Sequence, residues 1–522
     1  MDVKVARSKI LSSFKMHGYS LRSEASKYLT EVLSPLKRSD FETWLEKIIE
    51  SVEKQPLESS ALDKDVIESA VQEINQDGEE EDDKVFNLID AYSLPRFIYS
   101  SDRKKFLPNT QTKPSLHGTA QDKADIFRDR YTILKQRTMR HELFMPATVA
   151  SANQNASKFE LKTLEYLLGS SVALENVIIL GMLTQLKEGK YWLEDPTGVV
   201  ELDMEKALFH TGLYTESCFV LAEGDYDDGV LKVTALGFPP PEPSTVTRAH
   251  FGNINFFGGP SPTCVAASEK LKKIEQENQD AMFVFLSDVW LDQPKVMAKL
   301  RILFGGYAEV PPTLFVLCGN FCSKPYGTNY FKTMKGLFQD LANLIAEFQS
   351  LVENSRFVFV PGPQDPGPGN ILPRPKIPEN ITHALKEKVP FSLFATNPCR
   401  IQYCTQEIII MREDIVNKMC RNCIHLPSDS ESVPTHFVKT LQAQAHFCPL
   451  PLHVRPVYWT YDNALRIYPL PDLIICADKY DPYNIENNNC LVFNPGSFPR
   501  NEFSFKVYWP SSREVEDCKI NE

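Results

Sequence analysis

Apolar residues recur at three- and four-residue steps through the first part of the chain. Leu21, Ala25, Tyr28, Leu29, Val32, Leu33 and Leu36 form one stripe, Phe41, Trp44, Leu45, Ile48, Ile49 and Val52 a second, and Val66, Ile67, Ala70, Val71 and Ile74 a third. That period puts one apolar face on each helix, so residues 1–76 are expected to form a small helical bundle. Ser39 with Glu42 and Ser60 with Asp63 have the spacing of capping boxes and mark expected helix starts. The run Asp77-Gly78-Glu79-Glu80-Glu81-Asp82-Asp83 is too repulsive and too poor in apolar residues to pack, and marks a flexible boundary. Residues 77–156 then read as a linker with short helical segments, with a second boundary in the Thr-, Pro- and Gly-rich stretch from Pro108 to Gly118.

From about Ser157 the period shortens to two. Val177 to Leu183 is a short apolar run, and Lys190–Glu194 and Val199–Met204 alternate around the turn Asp195-Pro196-Thr197-Gly198. Cys218–Glu223 and Leu231–Leu236 flank a second turn, Asp225 to Gly229. About five strands in so short a span suit a Greek-key barrel of the OB type over 157–238. Tyr191 and Trp192 could stack bases there, although neighbours on a strand face opposite ways, so at least one is expected in the core. Beyond the proline-rich joint Pro239 to Pro243, strands and helices alternate, as in a layered α/β domain over 239–522. Met282–Leu286, Leu314–Cys318 and Phe357–Val360 read as strands, with helices over Gln293–Leu303 and Phe331–Phe348. Arg400–Met411, Leu473–Ala477 and Cys490–Asn494 read as strands of a second sheet.

Composition narrows the function classes. With 522 residues, 43% hydrophobic and 24% charged, the chain can bury a sizeable core and is expected to divide into two to four domains. No apolar run reaches the roughly 20 residues of a membrane span, and the opening MDVKVARSKI has no apolar signal core, so the expectation is a protein that stays inside the cell and away from membranes. Twelve cysteines lie scattered from Cys218 to Cys518, which suggests reduced thiols. A net charge of −12 argues against coating nucleic acid, so DNA contact is expected to be weak and indirect at most. The stretch Gln121–Arg140 does carry Lys123, Arg128, Arg130, Lys135, Arg137 and Arg140, readable as a solvated helix face or as a track for phosphates or an acidic partner.

Candidate chemistry gathers at the strand ends, where α/β proteins assemble their sites. Phe285-Leu286-Ser287-Asp288-Val289-Trp290 resembles the opening motif of calcineurin-like metallophosphoesterases, with Trp290 at the histidine position. Leu317-Cys318-Gly319-Asn320 resembles the second motif, with Asn320 at the metal-bridging aspartate and Ser323 where a further carboxylate is common. Pro361-Gly362-Pro363-Gln364-Asp365 resembles the third, with Pro363 and Gln364 at the asparagine and histidine. Cys476-Ala477-Asp478-Lys479-Tyr480 stands in place of the Gly-His-x-His motif. A two-metal site needs carboxylates and imidazoles to hold its ions; neutral Asn320 cannot supply the bridging charge, and Trp290 cannot coordinate. The degenerate ligand positions are thus Asp288, Trp290, Asn320, Gln364, Asp478 and Tyr480, and the expectation is no catalytic residue, no metal and no cofactor. The Cys420/Cys423 pair lacks the second pair of a structural zinc site.

Helical domain, OB barrel and ligand-poor phosphoesterase-like domain, in that order, resemble the B-subunit family of the replicative DNA polymerases. The segments Asn253 to Pro260, SDVWLD at Ser287 to Asp292, TNPCRIQYC at Thr396 to Cys404, and Asn417 to Cys423 resemble its epsilon branch, with the alpha and delta branches as near rivals. The resemblance implies a nuclear, non-catalytic accessory subunit that serves DNA replication and repair. It implies a barrel and an inactive phosphoesterase domain that together hold the zinc-containing C-terminal region of the catalytic subunit. It also implies small histone-fold subunits in the same holoenzyme, and a helical domain that looks like an AAA+ lid and links to the replicative helicase through GINS. Two other readings stay open: a divergent metallophosphoesterase using Asp288, Asp365 and Asp478, and a single-strand-binding OB module.

Overall fold

Four helices, Val3–Met16, Ser23–Leu33, Arg38–Lys54 and Lys64–Asn75, bury their apolar stripes against one another at the N-terminal end of the chain. The computed structural model describes residues 3–34, 38–54, 59–75, 85–109, 113–145, 159–324 and 330–520. The first helix adds Ala6, Ile10 and Phe14 to the expected three stripes. Ser60 caps no helix. Ala61–Leu62 pairs in parallel with Ser20–Leu21, and the helix begins only at Lys64, where the Ile67 N–H reaches the Asp63 carbonyl. Leu36, the Ser39/Glu42 side chains, the acidic run at 77–83 and Gln111 lie outside the described residues.

The barrel follows from alternation. Leu174–Lys187, Lys190–Asp195, Gly198–Asp203, Phe219–Asp227 and Val230–Gly237 form an antiparallel series that closes by parallel pairing of Val230–Gly237 with Gly198–Asp203. Val177, Ile179, Leu183, Leu193, Val200, Leu202, Val220 and Leu231 fill the interior. Asp195 fixes its turn by accepting from the backbone N–H of Thr197 at 2.7 Å and of Gly198 at 3.1 Å. The second turn is tighter than the sequence suggests: pairing runs on to Asp227 and Val230, and Asp228 and Gly229 make the reversal with positive φ. Tyr191 leans on the barrel core and Trp192 is half-buried, while Leu193 is the enclosed residue of that strand.

The large domain stacks two six-stranded sheets. In the first, Ser392–Phe394, Arg356–Val360, Leu314–Cys318 and Phe283–Ser287 run parallel, and Ser504–Trp509 and Glu514–Lys519 add antiparallel strands. The second runs Tyr483–Asn487, Cys490–Asn494, Leu473–Ala477, Gln406–Arg412, Cys399–Tyr403, Phe86–Asp90. Phe283, Phe285, Val316 and Val358 meet Ile401, Ile408, Ile410, Ile475 and Phe493 between the sheets. Val284, Leu286, Leu317, Phe357 and Phe359 point the other way, under the helices. Burial on both faces explains why these strands read as unbroken apolar runs. The expected single strand Arg400–Met411 is instead a hairpin, turned at Cys404 with φ +48°.

The described part of 77–156 is no linker. Phe86–Asp90 is the edge strand of the second sheet, the Ser115 N–H donates to Thr460 Oγ1 at 3.1 Å, and an added Cβ at Gly118 would come within 2.8 Å of the Trp459 ring. The helix Ala120–Arg140, opened by a Thr119/Asp122 capping box, is a strut between barrel and sandwich. Both readings of its basic face fail for the residues that matter most. Arg130 is buried and grips Asp462 at 2.5 and 3.2 Å. Arg137 is buried and donates to the carbonyls of Gln442 (3.1 Å), Pro239 (3.3 Å) and Ala443. Arg140 holds Glu242 at 2.7 Å, while Lys123 and Lys135 lie over the Trp459 and Tyr131 rings. A second tie joins the same bodies. Tyr214–Thr215 of the barrel pairs antiparallel with Cys423–His425, and the Gln444 amide both donates to and accepts from the Phe219 backbone at 2.7 Å.

Burial would raise Asp462, but the Arg130 guanidinium and then His446 hold it well below the usual carboxylate range. A depressed carboxylate stabilises the fold fully above its unfolded value, about 3.9, and that contribution drains away as pH falls below it. Arg130→Met, which strands the carboxylate in the interior, should cost on the order of 3–5 kcal/mol, read as a lower melting temperature at neutral pH. The double variant R130M/D462N should recover much of that loss and melt with a flatter dependence between about pH 5 and pH 3. Equal acid sensitivity in the double variant and the parent would remove this pair from the stability of the fold.

Candidate functional site

The candidate residues converge because both sheets end at one pole. The first sheet brings Asp288 and Trp290 after Phe283–Ser287, Gly319 and Asn320 after Leu314–Cys318, and Gln364 and Asp365 after Arg356–Val360. The second brings Arg412 at the end of Gln406–Arg412, and Asp478 and Tyr480 after Leu473–Ala477. The loops pack tightly. A Cβ on Gly319 would sit 1.8 Å from Asp365 Oδ2, and one on Gly362 would sit 2.5 Å from Asn320 Oδ1, so only glycine fits at either place.

At the centre lies Arg412, with 0% of its surface exposed. Its Nη2 donates to Asp288 Oδ1 at 2.7 Å, Nη1 to Asp414 Oδ1 at 2.8 Å and to the Ala477 carbonyl at 3.3 Å, and Nε to the Gly319 carbonyl at 2.5 Å. Burial alone would lower the guanidinium, but the Asp288 and Asp414 carboxylates more than offset this and raise it. In return, Arg412 and then Lys479, 3.3 Å away, hold Asp414 at about 2 against its own burial. Asn397 braces the arginine backbone: its Oδ1 accepts the Arg412 N–H at 3.0 Å and its Nδ2 donates to the Arg412 carbonyl at 2.6 Å.

Asp365 and Asp478 are engaged in holding loops. Asp365 accepts from the backbone N–H of Phe321 at 2.8 Å and of Gly362 at 2.7 Å; burial pushes its carboxyl up to about 6 despite those two bonds. Asp478 accepts from Ile415 at 2.6 Å, Val416 at 3.0 Å and Tyr480 at 2.9 Å, and burial, with Asp414 nearby, likewise pushes it up to about 6. Asn320 donates weakly to Asp288 at 3.4 Å and accepts from the Gln364 N–H at 2.9 Å. Trp290 is half-buried beneath the Arg500 guanidinium at 5.3 Å, and Ser323 bonds Asp292. Among the described residues no group of three or more His, Cys, Asp or Glu side chains could hold a metal ion.

The pole thus gathers Asp288, Asn320, Gln364 and Asp478, whereas Trp290 and Tyr480 sit on its flanks. Sequence reasoning missed Arg412, Asp414 and Asn397. A signal existed: the apolar run Ile408 to Met411 ends in Arg412-Glu413-Asp414, and a charge at the end of a strand buried on both faces must meet a counter-charge. Glu413 meets its own, Arg455, at 2.7 Å. The Cys420/Cys423 pair lies at the tie between barrel and sandwich, where the Cys423 thiol donates to the His425 carbonyl at 2.8 Å.

Three family models match the chain: the N-terminal domain of the DNA polymerases epsilon over residues 3–74, the OB-fold domain of DNA polymerase epsilon subunit 2-like proteins over 120–240, and the B-subunit of DNA polymerase alpha/epsilon over 283–484. DNA polymerase epsilon subunit 2 of Homo sapiens is 59% identical over 98% of this chain and 98% of its own length. The Drosophila melanogaster protein of the same name is 42% identical over 100% and 99%. Among solved structures, a novel archaeal phosphodiesterase aligns with 46% of this chain and 99% of its own at 11% identity and a TM-score of 0.26. Identity at this level across the whole length decides between the epsilon, alpha and delta branches: the chain belongs to the DNA polymerase epsilon subunit 2 family.

Proposed function

We propose that this accessory subunit of polymerase epsilon is a non-catalytic scaffold that works in the nucleus. The observation that carries the reading is the buried Arg412 guanidinium held between Asp288 and Asp414. A calcineurin-like hydrolase needs two divalent cations and a bridging water of lowered pKa. These residues do not fit such a pair. Asp288 is neutralised by an arginine, Asp365 and Asp478 are occupied by backbone N–H groups, and the bridging position is the neutral Asn320. The same bonds weigh against a divergent hydrolase built on these three aspartates.

Barrel and sandwich, locked by the strut helix and by the Tyr214–Thr215 pairing, offer one rigid platform. On it would sit the zinc-containing C-terminal region of the catalytic subunit, in the holoenzyme that also carries the small histone-fold subunits. The helical N-terminal domain, with its resemblance to an AAA+ lid, would face the GINS complex of the replicative helicase. The inward arginines of the strut leave little of its basic face for DNA. The leaning of Tyr191 on the barrel core speaks against base stacking there.

The purified chain with Mn²⁺ should hydrolyse neither phosphodiester model substrates nor single-stranded DNA above the protein-free background, and metal analysis should find no bound divalent ions. Turnover, or two ions per chain, would revive the hydrolase. Co-expression with the catalytic subunit's C-terminal region should give an equimolar complex by native mass measurement; recovery of both proteins separately from the same cells would end the scaffold reading. Trp192→Ala should leave oligonucleotide affinity within about twofold of the parent, since base stacking contributes ~1–3 kcal/mol per base where it occurs. A tenfold loss would favour the single-strand-binding module instead.

A further inference from the structure

A non-catalytic pole still has to accommodate the carboxylates of Asp288 and Asp414. The buried Asp288 and the largely buried Asp414, on neighbouring sheet ends, repel each other and carry a desolvation cost that a cation has to offset. Here Arg412 answers both, and Lys479, 3.3 Å from Asp414, adds a second positive charge. Arg412 enters from the second sheet and bonds Asp288 and the Gly319 carbonyl of the first sheet, together with Asp414 and the Ala477 carbonyl of its own. Its acceptors are two carboxylate oxygens and two backbone carbonyl oxygens, the kind of hard oxygen set that also suits a divalent cation such as Mg²⁺ or Ca²⁺.

We propose that Arg412 is a built-in replacement for a metal ion: a cation supplied by the chain that cross-links the two sheets and, together with Lys479 beside Asp414, balances the two carboxylates. The proposal rests on the reading of a pole without metals and adds what took over their structural work. Charge and geometry both fit the role. Each N–H named above faces an oxygen of a different loop, so one planar group ties four chain segments, as a coordinated ion would. Asn397 fixes the arginine backbone from both sides and so sets the direction from which the guanidinium enters. The consequence is specific. Removal of the guanidinium should turn a structure indifferent to divalent cations into one that needs them.

The test compares full-length parent, R412A, and the charge-neutral triple variant D288N/R412M/D414N by thermal melting, with chelator and with millimolar MgCl₂, CaCl₂ or MnCl₂. R412A should melt roughly 10 °C below the parent in chelator. It should regain a good part of that difference with at least one of the three cations and bind about one ion per chain in equilibrium dialysis, matching the single cavity left by the side chain. The parent and the triple variant should not respond to cations. An R412A protein as stable as the parent in chelator, or one that no cation restores, overturns the proposal. If R412A does not fold, the triple variant decides: a folded, cation-indifferent protein supports the charge-replacement role, and a second failure to fold overturns it. Hydrolytic turnover by the parent would sink the non-catalytic reading separately, since none of these melting comparisons measures turnover.

Discussion

A charge taken out of water has to be answered on the spot, and much of this fold is arranged around doing so. Two sheets with apolar faces leave their strand ends as a place where polar side chains gather. There Arg412 meets Asp288 and Asp414, Arg455 meets Glu413, and Arg374 donates to the Asp365 carbonyl at 2.8 Å. Arg374, Arg412 and Arg455 are among the largest side chains fully enclosed in the protein. Arginine suits the task because its planar fork stays charged and offers five donors to carboxylates and carbonyls. Each of these groups is engaged by a partner within the chain, and their shared effect is to fix the loops at the pole.

The same device joins the domains. The strut helix is basic in composition, yet Arg130, Arg137 and Arg140 point inward to a carboxylate, to helix-end carbonyls and to Glu242. A basic stripe on a helix is commonly a solvated face, and here burial of the helix between two bodies turned it into a set of anchors. The Gln444 amide and the Tyr214–Thr215 pairing add backbone-level ties, so barrel and sandwich meet through bonds with fixed direction rather than through apolar contact alone. Such a joint suits the proposed scaffold, because a platform that does not flex spares its partner the entropy of fixing it.

The parts of this architecture that depend on local periodicity could be read from the chain. The helical stripes, the barrel hairpins around Asp195 and Asp228, and the parallel strands of the first sheet all announce themselves by period and turn chemistry. Parts that depend on distant pairing did not. Phe86–Asp90 has too short a pattern to be told from a linker, and it becomes a strand only because Cys399–Tyr403 lies beside it. Ser504–Trp509 and Glu514–Lys519 escaped for a similar reason, since alternation near a chain end without a strong turn signal is weak. At the pole, the place of Asp288, Asn320, Gln364 and Asp478 just beyond strand ends could be read from their order along the chain. For Arg412 the sequence signals only that a counter-charge is needed; which one it meets depends on where the two sheets converge.

The edge strand Phe86–Asp90 bears on how the protein is made. Its neighbour Ala91 bonds Thr396, 305 positions later in the chain, so the barrel is inserted in sequence between two strands that pair in the sandwich. During synthesis the barrel strands leave the ribosome together and can pair at once, whereas the early edge strand must wait for most of the remaining polypeptide. Closure of so long a loop is slow and exposes strand edges in the interval. A nascent chain of this design therefore spends much of its translation time with a finished barrel beside an incomplete sandwich, the stage at which chaperones have most to protect.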